Sequence, residues 1–301
     1  MKRAFWQLHI AVFLAGFTGV LGKLITLNEG LLVWYRLLIS SSTLWVVHIL
    51  ARRSVRITGK NACRIGVVGV IAALHWVFFY GCIKLANVSI ALVCFSSIGF
   101  FTALIEPLIF RIRPKSIEIT LGLLVMIGIF FIFHFDPDYK LGILIGLVAA
   151  LLGSIFPILN RKLVQTIDFQ ILTLYELSGG FLFLSIMLPF YLHFMPATHL
   201  LPSAGDIFWL FVLSWVCTVL AMNLSMSALR RITAFTVNLT YNLEPVYGIA
   251  LAFALFREDK LLGRGFYIGF GLIILAIVLQ MVNVLLQAKR QSDPTSKKSG
   301  R

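Results

Sequence analysis

The chain is built from apolar runs of about twenty residues, one after another, with short polar pieces between them. About twenty helical residues cross a hydrocarbon core of ~30 Å. Only elements that satisfy their own backbone hydrogen bonds survive there. Ten runs can be marked, at 5–26, 30–50, 63–84, 88–110, 117–135, 141–160, 169–192, 206–229, 232–256 and 265–287. They nearly use up the 301 residues and leave no room for a soluble catalytic domain. Charged residues make up 13% of the chain, against about 25% in a soluble domain. The expected fold class is therefore an all-α membrane protein of ten transmembrane helices.

The net charge of +14 would fit a nucleic-acid binder if the basic residues were clustered. Instead they alternate between connections. With the N-terminus inside, the inside segments hold 19 Lys and Arg and the outside segments 6, and Arg36 lies within a span. The positive-inside rule places both termini in the cytoplasm of a multi-pass inner-membrane protein. Membrane lipid, not nucleic acid, is the expected polyanionic neighbour. The four cysteines, Cys63, Cys82, Cys94 and Cys217, show no metal-ligand spacing and read as small buried hydrophobes. No metal site and no cofactor is expected. Met-Lys-Arg before an apolar run has the look of a signal peptide, but removing it would leave span six unpartnered, so it reads as a retained first helix.

Two runs carry a Glu-Pro dipeptide, Glu106-Pro107 and Glu244-Pro245. A charge at bilayer depth costs at least ~2.5–3.5 kcal/mol. Proline frees a backbone carbonyl and bends a helix, so Pro107 and Pro245 are the expected kinks. Helices tolerating both should face protein or a water-filled cavity. Ser89 lies 17 residues before Glu106, and Thr233 lies 11 before Glu244. At 1.5 Å per residue, Glu106 falls about 25 Å into its helix and Glu244 about 17 Å, near the midplane. Glu244 is the stronger site candidate of the two.

The runs also pair across the chain. Gly16 precedes Lys23 by seven residues, and Gly153 precedes Asn160 by seven. Tyr35-Arg36 in span two answers Tyr175-Glu176 in span seven. The junctions Val88-Ser89 and Ile232-Thr233 each lead into a Glu-Pro helix. Spans five and ten each carry two glycines six apart, Gly122/Gly128 and Gly263/Gly269. Five spans per half is odd, so the second half enters the membrane upside down. The expected organisation is a first five-helix repeat over 1–137, a second over 138–288, a central cavity between them, and a disordered cytoplasmic tail over 289–301.

This five-plus-five pattern resembles the drug/metabolite transporter superfamily, and within it the ten-helix EamA-type group. The motifs that carry the resemblance are Lys84-Leu-Ala-Asn-Val-Ser89, Leu229-Arg-Arg-Ile-Thr233, Phe100-Phe-Thr-Ala-Leu-Ile-Glu-Pro107 and the glycine pairs of the closing helices. The resemblance covers about 5–287. It implies an inner-membrane transporter, exporter or importer, of small metabolites such as amino acids or related compounds, working by alternating access. Cavity-facing positions carried over to this chain are Tyr35, Arg36, His75, Trp76, Tyr175, Glu176, Asn223, Asn238, Tyr241 and Glu244.

Read on their own chemistry, Glu244 and Glu176 are candidates to bind an ammonium group or carry a coupling proton. Arg36 is a candidate to bind a carboxylate, and together the three suit a zwitterion. Trp76 and Tyr80 share a helix face and could stack on a substrate. For Glu106, five residues before Arg111, an intrahelical or interfacial pairing is expected. No phosphate-binding loop, H-E-x-x-H or G-x-S-x-G occurs, so an enzyme is not expected. A membrane-embedded enzyme or a lipid-linked-sugar flippase is the alternative. With both halves in one chain, a monomer can form the whole pathway.

Overall fold

The computed structural model describes residues 2–135, 137–229, 240–241 and 243–292. Among them every regular element is helical. Helices α1 (Lys2–Leu24), α2 (Glu29–Leu50) and α3 (Gly59–Leu85) are followed by α4 (Val88–Phe95) and α5 (Ile98–Phe110), which share one span. Then come α6 (Ser116–Phe135), α7 (Lys140–Leu163) and α8 (Phe169–Phe194). The next span is composite. It comprises α9 (Ala204–Phe211), a π-helix (Val212–Leu220) and α10 (Ala221–Leu229). Helices α11 (Glu244–Phe256) and α12 (Arg264–Ser292) complete the chain. Among the described residues nine spans are long and apolar enough to cross a membrane, and α11 is a shorter apolar helix. Much of the run marked at 232–256 falls outside the described residues, including Asn238. Helix α12 continues to Ser292, four residues into the stretch expected as a tail.

Polar side chains at the turns set where the helices begin. Asn28, Thr58, Asn87 and Asp168 each accept a hydrogen bond from a first-turn backbone N–H of α2, α3, α4 and α8. Ser203 and Asp206 form a capping box at α9. The outer shell is apolar and faces lipid: Leu108 is 77% exposed and Phe190 67%, which no water-facing surface of this extent would tolerate.

Small residues decide the tightest crossings. A Cβ on Gly128 would stand 2.6 Å from the carbonyl oxygen of Gly269, so the closing helices α6 and α12 meet backbone to backbone. A Cβ on Gly16 would stand 2.9 Å from the carbonyl of Glu244, which seats α11 on α1.

Three expectations need correcting. Span four is broken at Ser96-Ser97, ten residues before Pro107, where Ser96 and Ser97 hydroxyls donate to the carbonyls of Leu92 and Cys94. Such side-chain bonds compete with the helix ladder; Pro107 itself sits inside α5. Pro245 does not bend a continuous helix. It lies in the first turn of α11, where its missing N–H costs nothing. Cys63 is exposed, in the first turns of α3, while Cys82, Cys94 and Cys217 are buried.

The helix ends also settle how the Glu-Pro helices correspond. Helices α5 and α11 both have 13 residues and both end in Phe-Arg, with Arg111 and Arg257 in the left-handed region at φ 53° and 55°. Superposing these ends matches Glu106 with Ala252 and Glu244 with Ile98. The two glutamates are not repeat equivalents.

Candidate functional site

Arg36 is 4% exposed, and the partners it has among the described residues are neutral. Its Nη1 donates to the Tyr80 hydroxyl at 2.9 Å, and its Nε donates to Thr218 Oγ1 at 3.2 Å. The guanidinium lies over the Trp76 ring, 4.1 Å from the centroid, a favourable cation–π position. Among the described residues no carboxylate comes within ion-pair distance of it. Trp76 and Tyr80 come from α3 at i, i+4, so one helix face supplies both. Thr218 comes from the π-helix, and its hydroxyl donates in turn to Leu213 O at 2.9 Å. Ser214 of the same segment donates to the Arg36 carbonyl at 3.3 Å. Such segments recur at functional sites because they displace a turn from helical register. The cluster thus joins two helices of the first half to one of the second.

The acids expected beside Arg36 lie elsewhere. Helices α2 and α8 run antiparallel, since Trp34 donates to Ser185 and Trp45 to Ser178. Arg36 is therefore level with residues near 184, about 12 Å along α8 from Glu176. Glu176 is 6% exposed and accepts from Asn160 Nδ2 at 2.8 Å. Glu244 is partly buried, and among the described residues its carboxylate has no hydrogen bond or ion pair; Tyr241 lies close by. Glu106 pairs with Arg161 of α7, not with Arg111, because the left-handed turn at Arg111 ends α5 and redirects the chain.

The remaining candidates divide. His75 donates from Nδ1 to, or accepts through it near, no side chain: its partner is the Ala149 carbonyl at 2.7 Å, so Nδ1 carries the proton, and its ring packs among Phe79, Phe95 and Phe156. Tyr35 bonds to Leu200 O and Tyr175 to Val55 O, at opposite faces of the bundle. Asn223 bonds to Val219 O of its own helix, and the Tyr241 hydroxyl pairs with Ser225 at 2.6 Å.

Sequence reasoning missed a second cluster, at the face where α1 ends. Glu258 is fully buried and accepts from Lys23 Nζ at 2.8 Å, Ser89 N at 2.8 Å, Ser89 Oγ at 2.6 Å and Val88 N at 3.2 Å. Burial alone would raise its carboxyl, but the Lys23 and Ser89 bonds outweigh that and hold it below the ordinary value of 4.5. Beside it Asp206 accepts from Thr26 N at 2.6 Å and Thr26 Oγ1 at 2.7 Å. Tyr191 bonds to Glu29, and Lys84 to the Ile25 carbonyl. All but the Lys84 bond tie one half of the chain to the other. The Ser89 junction was visible in the sequence, but Glu258 sits in a short Arg-Glu-Asp-Lys turn that reads as solvated.

The EamA-like transporter family model matches residues 3–134 and again 140–282. The chain belongs to the EamA-like transporter family. Two copies of the family unit cover both halves, which fits the ten-helix fold of inverted repeats and the drug/metabolite transporter superfamily. This EamA-like chain is thus a multi-pass membrane transporter, with a small-molecule substrate and a lipid environment. A solved crystal structure superposes with a TM-score of 0.61 at 14% identity, over 93% of this chain and 98% of that one. At that identity the likeness is one of fold. No curated protein matches.

Proposed function

We propose that this chain is a secondary transporter that moves small metabolites, amino acids or related compounds, across the inner membrane by alternating access. The observation that carries the reading is Arg36. A guanidinium cannot shed its proton in a protein. Burying it costs on the order of 2.5–3.5 kcal/mol even on insertion scales. A charge that among the described residues meets Tyr80, Thr218 and Trp76 and no carboxylate, between the two halves, is completed when an anionic group joins it. A substrate carboxylate supplies that group.

Both termini are cytoplasmic in this reading, so the sealed cluster around Glu258 lies outside and substrate enters from within, as an exporter requires. Glu244, a carboxylate without a partner among the described residues, is the candidate proton carrier. Glu176, with Asn160, is a second acid on the cytoplasmic side. The reading assigns no chemical step, so the protein is not an enzyme, and a monomer suffices. The division into repeats at 137/138 belongs to the same proposal.

The test is uptake in proteoliposomes of amino acids, nucleosides and organic cations, with and without a pH gradient. Arg36→Gln is expected to abolish transport of every carried compound. Glu244→Gln is expected to abolish gradient-driven accumulation and spare exchange. Transport confined to permanent cations would contradict the assignment of Arg36.

A further inference from the structure

A cavity of about 180 Å³ lies about 12 Å from Arg36 along α2, toward the face where α1 begins. It is an open cleft bordered by α2, α8 and the junction of the π-helix with α10. Leu44, Val47, Leu177 and Met222 give it apolar walls. Two polar atoms on those walls have no partner among the described residues, Nε2 of His48 and Oγ1 of Thr173. Their residues are only 5% and 6% exposed.

The hydrogen bonding of His48 fixes what its free nitrogen does. Nδ1 lies 2.8 Å from the Leu44 carbonyl. A carbonyl only accepts, so Nδ1 carries the proton and Nε2 presents a lone pair. Thr173 adds a hydroxyl that accepts or donates. A buried acceptor left unmade costs about 1–3 kcal/mol, and native proteins keep few. Two on one cavity mark a place where a donor binds.

The mouth has a different character. Arg53 and Gln170 line it, with the guanidinium donating to Gln170 Oε1. The Arg53 backbone N–H bonds to the His48 carbonyl at 3.1 Å, which holds the Arg53 main chain against the last turn of α2. A solute bridging mouth and interior would therefore carry an anionic group beside an N–H or O–H donor, with a short apolar arm.

We propose that this cavity is a loading site, entered from the cytoplasm, for an apolar α-amino acid. The carboxylate meets Arg53 and Gln170, the ammonium donates to His48 Nε2 and Thr173 Oγ1, and the side chain rests on the apolar walls. The site precedes the one at Arg36, and Val219 on its wall adjoins Thr218, an Arg36 ligand. The proposal rests on the transporter reading above and names the substrate class for it.

The test is ligand-dependent thermal stabilisation of the purified full chain. Three probes are used: L-leucine, L-leucinamide, which lacks the carboxylate, and 4-methylpentanoate, which lacks the ammonium. Two variants are compared with wild type, His48→Leu with Thr173→Val, and Val219→Trp. The first removes the unpartnered Nε2 and Oγ1 together with the single Nδ1 bond to the Leu44 carbonyl, so its fold should hold with a stability change of about 1 kcal/mol or less. The second fills the cavity. L-leucine is expected to stabilise wild type at lower concentration than either analogue. Its apparent Kd should rise about tenfold or more in both variants, as loss of hydrogen bonds to a charged group predicts. Equal binding by wild type and both variants would overturn the proposal. So would the absence of any shift in wild type, which leaves water as the cavity's occupant. In that last case proteoliposome uptake separates the two readings. Transport of some compound would leave the transporter assignment standing, and transport of none would remove it as well.

Discussion

Glu258→Ala is the substitution whose consequence can be worked most fully. The carboxylate is completely buried and caps the N-terminus of α4 through Val88 N–H, Ser89 N–H and Ser89 Oγ. A hydrogen bond to a charged group contributes about 1.5–3 kcal/mol, and an anion at a helix start gains from the dipole. Breaking a buried pair by removing one partner costs about 3–5 kcal/mol. Lys23 is 36% exposed and can turn to solvent, so its share is small. The expected loss is about 3 kcal/mol, or on the order of 6–12 °C in Tm at a fixed scan rate. Lys23→Met should cost about 1 kcal/mol or less. The pH dependence follows from the lowered carboxyl. A group depressed in the folded state contributes its stability above the unfolded value, near 4.5, and loses it as pH falls through the folded value. The gap between wild type and Glu258→Ala should therefore be constant above about pH 5.5 and shrink below pH 4.5. Differential scanning fluorimetry of purified protein from pH 7.5 to 3.5 reads both. A Tm within 1 °C of wild type at pH 7, or a gap unchanged at pH 3.5, would refute the reasoning.

Other expectations follow from single contacts. Gly128→Leu should prevent α6 from seating on α12, since even a Cβ would stand 2.6 Å from Gly269 O; sharply reduced yield and Tm on size-exclusion chromatography check it. Glu106→Gln and Arg161→Gln should each change stability by less than about 1 kcal/mol, because the Arg161 side chain is 64% exposed. Arg36→Lys should retain folding yet fail to restore transport, since an ammonium cannot hold the Tyr80 and Thr218 bonds in one planar fork; circular dichroism and proteoliposome uptake separate the two effects.

The spans, their number and the repeat were legible because apolar length and helix caps are local properties of the sequence. Asn28, Asn87 and Ser203 cap the helices that follow them. Arg36 was legible as an intramembrane cation, and Trp76 and Tyr80 by their i, i+4 spacing. What failed was grouping. Placing Arg36 with Glu176 and Glu244 needed the register of α2 on α8, which Trp34–Ser185 and Trp45–Ser178 set. Those bonds have no signature within either helix. Thr218 became an Arg36 ligand through a π-helix, which composition does not announce. The Glu-Pro helices stayed ambiguous for a related reason. The unequal spacings of 17 and 11 residues from Ser89 and Thr233 fit either an insertion or two unrelated glutamates, and the left-handed Arg111 and Arg257 show which ends match.

The central claim is that one pathway runs between the halves and that the sealed face must open for transport. A chain with Cys63→Ser, Lys23→Cys and Glu258→Cys, joined by a short bis-methanethiosulfonate, tests it directly. Radiolabelled L-leucine exchange in proteoliposomes would be followed before and after crosslinking, and again after reduction. The account predicts exchange that stops on crosslinking and returns on reduction. Exchange that continues through the crosslinked protein would contradict it.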